Sequence, residues 1–130
     1  MAVPNGKIRV VVVNDQLPMN ELWQQLINLT TDMECVGVAM DGEQAVQIVL
    51  ECKPDIVVMD VLMPGMDGNT ATRLIREQLP ATQVIVYSAY HGMEQKAYDS
   101  GAAEYLLMPI SPDKLRNTIR RVYSESHQGD

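Results

Sequence analysis

The stretch I-R-V-V-V-V at residues 8–13, followed at once by Asn14 and Asp15, sets the reading of everything around it. A strand half open to water alternates apolar with polar residues. This one is a nearly unbroken β-branched run, the pattern of a strand covered on both faces, as a parallel sheet requires. Helical spacing takes over directly. Leu17-Pro18-Met19 places a proline where its missing N–H costs little, Leu22, Leu26 and Leu29 recur at helical intervals, and Trp23 and Ile27 widen that stripe. The same unit then repeats. The spacing predicts further strands over 35–40, 55–59, 83–87 and 104–108, and helices over 43–52, 69–79, 93–100 and 112–125. Ala45, Ile48 and Val49 form the inner face of the second helix, Ala71, Leu74, Ile75 and Leu79 that of the third, and Leu115, Ile119 and Val122 that of the last.

Five strand–helix pairs in strict alternation imply a parallel sheet with helices on both faces. Crossovers of one hand make it doubly wound, and for five strands the flavodoxin-like order 2-1-3-4-5 is the common solution. The 130 residues suit one domain, with a core over about 7–124 and a frayed tail at 126–130. Nine Met, one Trp and no Phe make that core aliphatic. A net charge of −7 argues against a nucleic-acid or anionic-membrane partner, and no apolar run approaches the roughly 20 residues needed to span a bilayer. M-A-V-P-N-G-K does not read as a signal peptide. Cys35 and Cys52 form no metal-ligand or C-x-x-C pattern, so a cytoplasmic location with reduced thiols is expected.

In a doubly wound sheet the site lies beyond the carboxyl ends of the strands, where the strand order reverses. Asn14 and Asp15 follow the first strand, Asp60 the third, Ser88 the fourth, and Met108-Pro109 the fifth. If the first and third strands are neighbours, Asp15 and Asp60 converge and repel unless a cation lies between them. Mg²⁺ suits such hard oxygen ligands. A carboxylate so neutralised, beside a hydroxyl donor, can accept a phosphoryl group. The plainer reading is that strand-end aspartates cap turns.

The stretch V-V-M-D-V-L-M-P-G-M-D-G, residues 57–68, resembles the phosphoacceptor strand and loop of response regulator receiver domains, and the likeness runs over roughly residues 7–124. The resemblance implies that Asp60 is the phosphoacceptor. It makes Asp15 a Mg²⁺ ligand with Asp60 and the backbone carbonyl of Leu62. It makes Ser88, in V-I-V-Y-S-A-Y, the hydroxyl that bonds the phosphoryl group, and Tyr105, in A-E-Y-L-L-M-P, the aromatic switch. Met108-Pro109 matches a peptide that is usually cis. The implied partners are a sensor histidine kinase or a phosphotransfer protein. The implied activity is phosphorelay signalling, not that of an enzyme in the usual sense.

Two positions depart from the pattern. Asn14 stands where the family has an acid, and Met108 where it has a lysine that pairs with the acceptor carboxylate and then with the phosphoryl group. A thioether donates no hydrogen bond, so the loss costs about 1.5–3 kcal/mol and slows the chemistry by roughly one to two orders of magnitude. Two carboxylates without a base carry the same −2 as three with one ammonium, so one loss can compensate the other. Asn14 is left to orient a metal-bound water, with weaker Mg²⁺ binding. The alternative is a pseudo-receiver that binds partners without phosphorylation. An aspartyl phosphatase would want an acid where Leu62 stands. A flavin carrier would want a hydroxyl- and Gly-rich loop where Asn14-Asp15-Gln16 stands.

Other residues have plainer alternatives. His91 reads as a solvated loop histidine or a proton relay, and His127 lies in the tail. By the resemblance Met63 and Met66 line the pocket rim, and Tyr90 either packs there or alternates with Tyr105. Residues 112–130 sum to +1 against −8 for the rest. That basic helix is either a solvated face or part of a homodimer through the fourth helix, fifth strand and fifth helix, with Arg116 or Arg120 meeting Glu94 or Asp99 of a second copy.

Overall fold

The computed structural model describes residues 6–127. Five parallel strands, β1 (Ile8–Val13), β2 (Met33–Ala39), β3 (Ile56–Asp60), β4 (Gln83–Ser88) and β5 (Glu104–Leu107), form one sheet in the order 2-1-3-4-5. They alternate with α1 (Leu17–Asn28), α2 (Gly42–Cys52), α3 (Gly68–Gln78), α4 (Glu94–Asp99) and α5 (Pro112–Ser126). The flavodoxin-like topology is as the alternation implied.

Both faces of the sheet are covered, which is why β1 needs no polar side. Val10 and Val12 face Trp23 and Ile27 of α1 and Leu115 and Ile119 of α5, whereas Val11 and Val13 face Ala45 and Val49 of α2 and Ala71 and Ile75 of α3. Asp41, Asp67 and Ser111 cap α2, α3 and α5 by accepting main-chain N–H bonds from Gln44, Thr70 and Lys114. Beside β1, β2 carries an irregularity: Val10 pairs with Cys35 and Val11 with Gly37, so Val36 is the extra residue.

Three details differ from the sequence expectation. Leu22 and Leu29 do not lie on the buried stripe of α1; they are exposed, and Asn20, Trp23 and Ile27 face the sheet. The helix α5 runs on through Ser126, and His127 stacks on Tyr123 with ring centroids 4.0 Å apart, so only 128–130 of the expected frayed tail lie outside the described residues. The arginines of α5 already have acidic partners within the chain. Arg116 pairs with Asp113, Arg120 grips both oxygens of Asp32 at 2.8 and 2.9 Å, and Arg121 pairs with Glu104 and Glu125. Arg120 holds the Asp32 carboxyl below its usual range.

Candidate functional site

At the reversal point β1 and β3 are neighbours, with Val13 opposite Met59, so Asn14 and Asp60 fall in one row; Tyr87 is the register partner of Asp60 on β4. A cavity of about 250 Å³ opens over this row, bounded by Asn14, Gln16, Met19, Asp60, Tyr87 and Met108. The Met108–Pro109 peptide beside it is cis. A larger concavity of about 660 Å³ lies at the opposite ends of the strands, near Pro54, Thr82 and His127, away from Asn14, Asp15, Asp60, Ser88 and Met108.

Burial pushes the Asp60 carboxyl up from its ordinary value. A hydrogen bond from the Leu62 N–H at 3.2 Å holds it back, and the charge of Asp15 pushes it up again. One Asp60 oxygen therefore does make the ordinary turn bond, but the carboxylate also faces a second negative charge. That is the arrangement a hard cation relieves, and two carboxylates fit Mg²⁺. Among the described residues no third acid, His or Cys joins them into a cluster, so a cation held there would keep much of its coordination as water.

The raised Asp60 value has a stability consequence. A carboxyl that holds its proton more tightly when folded contributes stability at low pH, which is lost as pH rises through the raised value. At neutral pH the charge is a liability. Asp60→Asn is expected to melt above the parent at pH 7, with the gap closing as the pH falls through the raised value and gone below about 4. Thermal melts across pH check this, and a variant that melts lower at pH 7 would contradict it.

Asn14 is buried, and both ends of its side-chain amide are engaged within the chain. Its Nδ2 donates to the Tyr87 hydroxyl at 2.7 Å, and its Oδ1 accepts the Gln16 N–H at 2.7 Å. Tyr87 is the site residue that the sequence reading passed over. Its signal was a lone phenol at the end of an aliphatic strand, V-I-V-Y-S. Burial pushes its hydroxyl up to about 12, against the Asn14 hydrogen bond and the nearby Trp23 indole, with Asp60 and Asp15 adding to the rise. Trp23 packs edge-on to its ring at 6.3 Å, although the indole N–H closes no hydrogen bond there.

Ser88 and Tyr105 lie on the other face of the sheet and are joined through Tyr90. Ser88 Oγ accepts the Tyr90 N–H at 3.1 Å, and the buried Tyr105 donates its hydroxyl to the Tyr90 carbonyl at 2.5 Å. The Tyr90 ring itself is exposed, so its main chain makes the link. Met63 is buried and Met66 partly buried, both packed with the core on the α2 and α3 side of the sheet, whereas Met19 and Met108 line the cavity from the other side. His91 is exposed in the loop after β4. Among the described residues no helix is long and apolar enough to cross a membrane.

Residues 10–120 match the family described as the response regulator receiver domain. Over 116 residues, 88% of this chain, the sequence is 34% identical to a transcriptional regulatory protein, YxjL, of Bacillus subtilis. The response regulator domain of Thermotoga maritima CheB superposes with a TM-score of 0.83 at 33% identity, covering 91% of this chain and 97% of that one. A CheX–CheY complex with BeF₃ and Mg²⁺ from Borrelia burgdorferi gives a TM-score of 0.84 at 25% identity, covering 92% and 97%. The chain spans 53% of the length of YxjL and 31% of another curated relative. With the strand order, the reversal-point aspartates and the 57–68 loop in place, this chain belongs to the response regulator receiver domain family.

Proposed function

We propose that this chain accepts a phosphoryl group on Asp60 from a phosphohistidine of a sensor kinase or phosphotransfer protein, as a slow receiver in a phosphorelay. The observation that carries this is a half-buried Asp60 at the end of β3, level with the Asn14–Asp15 pair that follows β1, at the reversal point. An Asp60 oxygen attacks phosphorus; the O–P bond forms as the P–N bond breaks, and the imidazole keeps the electron pair. Asp15, Asp60 and the Leu62 carbonyl would hold Mg²⁺, which when bound offsets the charge of the carboxylates and the incoming phosphoryl group; the BeF₃–Mg²⁺ complex of the CheY relative supports that choice. Ser88 then turns from the Tyr90 N–H toward the phosphoryl oxygen, which releases the Tyr90 main chain and with it the Tyr105 hydroxyl bound to its carbonyl. In this reading the signal leaves through α4, β5 and α5, where a second copy would exchange the arginine pairs of α5. The longer relative is a transcriptional regulatory protein; a net charge of −7 disfavours direct nucleic-acid contact by this domain.

A second reading is favoured by the cavity lining, which holds no cation among the described residues: a pseudo-receiver in the cytoplasm that binds partners without phosphate. Intact-mass measurement after incubation with Mg²⁺ and phosphoramidate separates the two. The expected result is one phosphoryl adduct, absent in Asp60→Asn, forming about ten- to a hundredfold more slowly than in a pocket with a lysine. No adduct at any donor concentration, with no Mg²⁺-dependent rise in melting temperature, would establish the pseudo-receiver.

A further inference from the structure

We infer that the Tyr87 hydroxyl donates the hydrogen bond that steadies a phosphoryl group on Asp60, and that Asn14 is the positioning residue that aims it. This rests on the phosphoacceptor reading and adds to it a second donor, on the face of the sheet opposite Ser88.

The topology places the ring. Tyr87 belongs to β4, yet its hydroxyl meets Asn14 just beyond β1, and β3 lies between those strands. The ring therefore crosses β3 at the level of Asp60, its register partner, and both side chains bound the same cavity.

The hydrogen bonds then orient the proton. Asn14 Oδ1 accepts a main-chain N–H from Gln16, so the amide group facing Tyr87 must be the NH₂, and the tyrosine oxygen accepts from it. The tyrosine's own proton is left with the Val13 carbonyl at 3.4 Å, beyond the 2.5–3.0 Å of a good O–H···O bond. A nearby anion offers it a better acceptor. With the hydroxyl pushed up to about 12, that proton stays in place across the neutral range. Neither Met19 nor Met108 can donate, and no cation lines the cavity among the described residues. During transfer Tyr87 neither gains nor loses a proton; it bonds a phosphoryl oxygen as the Asp60 O–P bond forms.

The test uses the full chain with Mg²⁺ and phosphoramidate, following the adduct by mass. Tyr87→Phe, which removes only the hydroxyl, is expected to slow its formation about ten- to a hundredfold. It should also weaken Mg²⁺-dependent beryllofluoride binding about tenfold, read through the sole tryptophan, Trp23, which packs on that ring. Asn14→Asp keeps the ring and gives the decisive sign. A carboxylate at 14 would capture the tyrosine proton and withdraw it from Asp60, so the rate should fall. Adding Tyr87→Phe to Asn14→Asp should then cost little more. A Tyr87→Phe protein that reacts at the parental rate, or an Asn14→Asp protein that reacts faster than the parent, would overturn the inference while Asp60 stands as acceptor. Absence of any adduct on the parent would overturn both readings. If Tyr87→Phe does not fold, the sign of the Asn14→Asp effect decides alone.

Discussion

Gly68→Ala is expected to lower the unfolding free energy by about 3 kcal/mol, near the upper end of the usual cost of forcing extra volume into a packed interior. A Cβ at this position would lie 2.3 Å from the Asp60 carbonyl oxygen and 2.8 Å from the Val61 Cα. Both are main-chain atoms of the strand end that carries the candidate acceptor, so no side-chain rotation can relieve the contact. Either α3 must withdraw from β3 or the end of β3 must move. The first loses the hydrogen bond from the Gly68 N–H to the Val61 carbonyl at 2.8 Å; the second displaces Asp60. Gly65→Ala is the control. Gly65 has φ +73° but open space around it, so only the backbone cost of about 1–2 kcal/mol applies. Urea melts of the two variants check this, and equal losses would show that the close approach at Gly68 is not limiting.

Ile27→Ala is expected to cost about 2–5 kcal/mol, whereas Leu22→Ala and Leu29→Ala should stay within about 0.5 kcal/mol of the parent. Ile27 is fully buried under the sheet, while Leu22 is 55% and Leu29 83% exposed. Urea melts of the three variants decide it; a Leu29→Ala loss above about 1 kcal/mol would contradict the observed face. The sequence of α1 holds apolar residues around much of its circumference, so helical spacing alone could not choose the arc that faces inward. A polar residue chooses it. Asn20 is fully buried, and its amide donates to the Asn14 carbonyl at 2.8 Å and the Ala39 carbonyl at 3.0 Å. Those bonds fix the rotation of the helix and leave Leu22 and Leu29 in water. Losing both of those N–H bonds in the interior would cost more than leaving a leucine exposed.

The same division runs through the site. Asp15, Asp60 and Ser88 could be picked out because a carboxylate or hydroxyl at the end of an apolar strand is conspicuous, and because strand order says which ends meet. Asn14 and Met108 were visible as departures, and the sequence invited pairing their losses as a balance of charge. The structure gives Asn14 a different partner, Tyr87. In the linear chain that tyrosine is one more apolar residue of β4, 73 positions from Asn14.

From the sequence alone came the alternation of five strands and helices, the two-sided burial of β1 and the strand-end acids, since periodicity and residue chemistry are local properties. The rotation of α1, the union of Ser88 with Tyr105 through the Tyr90 main chain, and the phenol lying across β3 were decided by tertiary structure. Each depends on which side chain reaches a hydrogen-bond partner distant in the chain, and only the register of parallel strands and the packing of helices on them settle that.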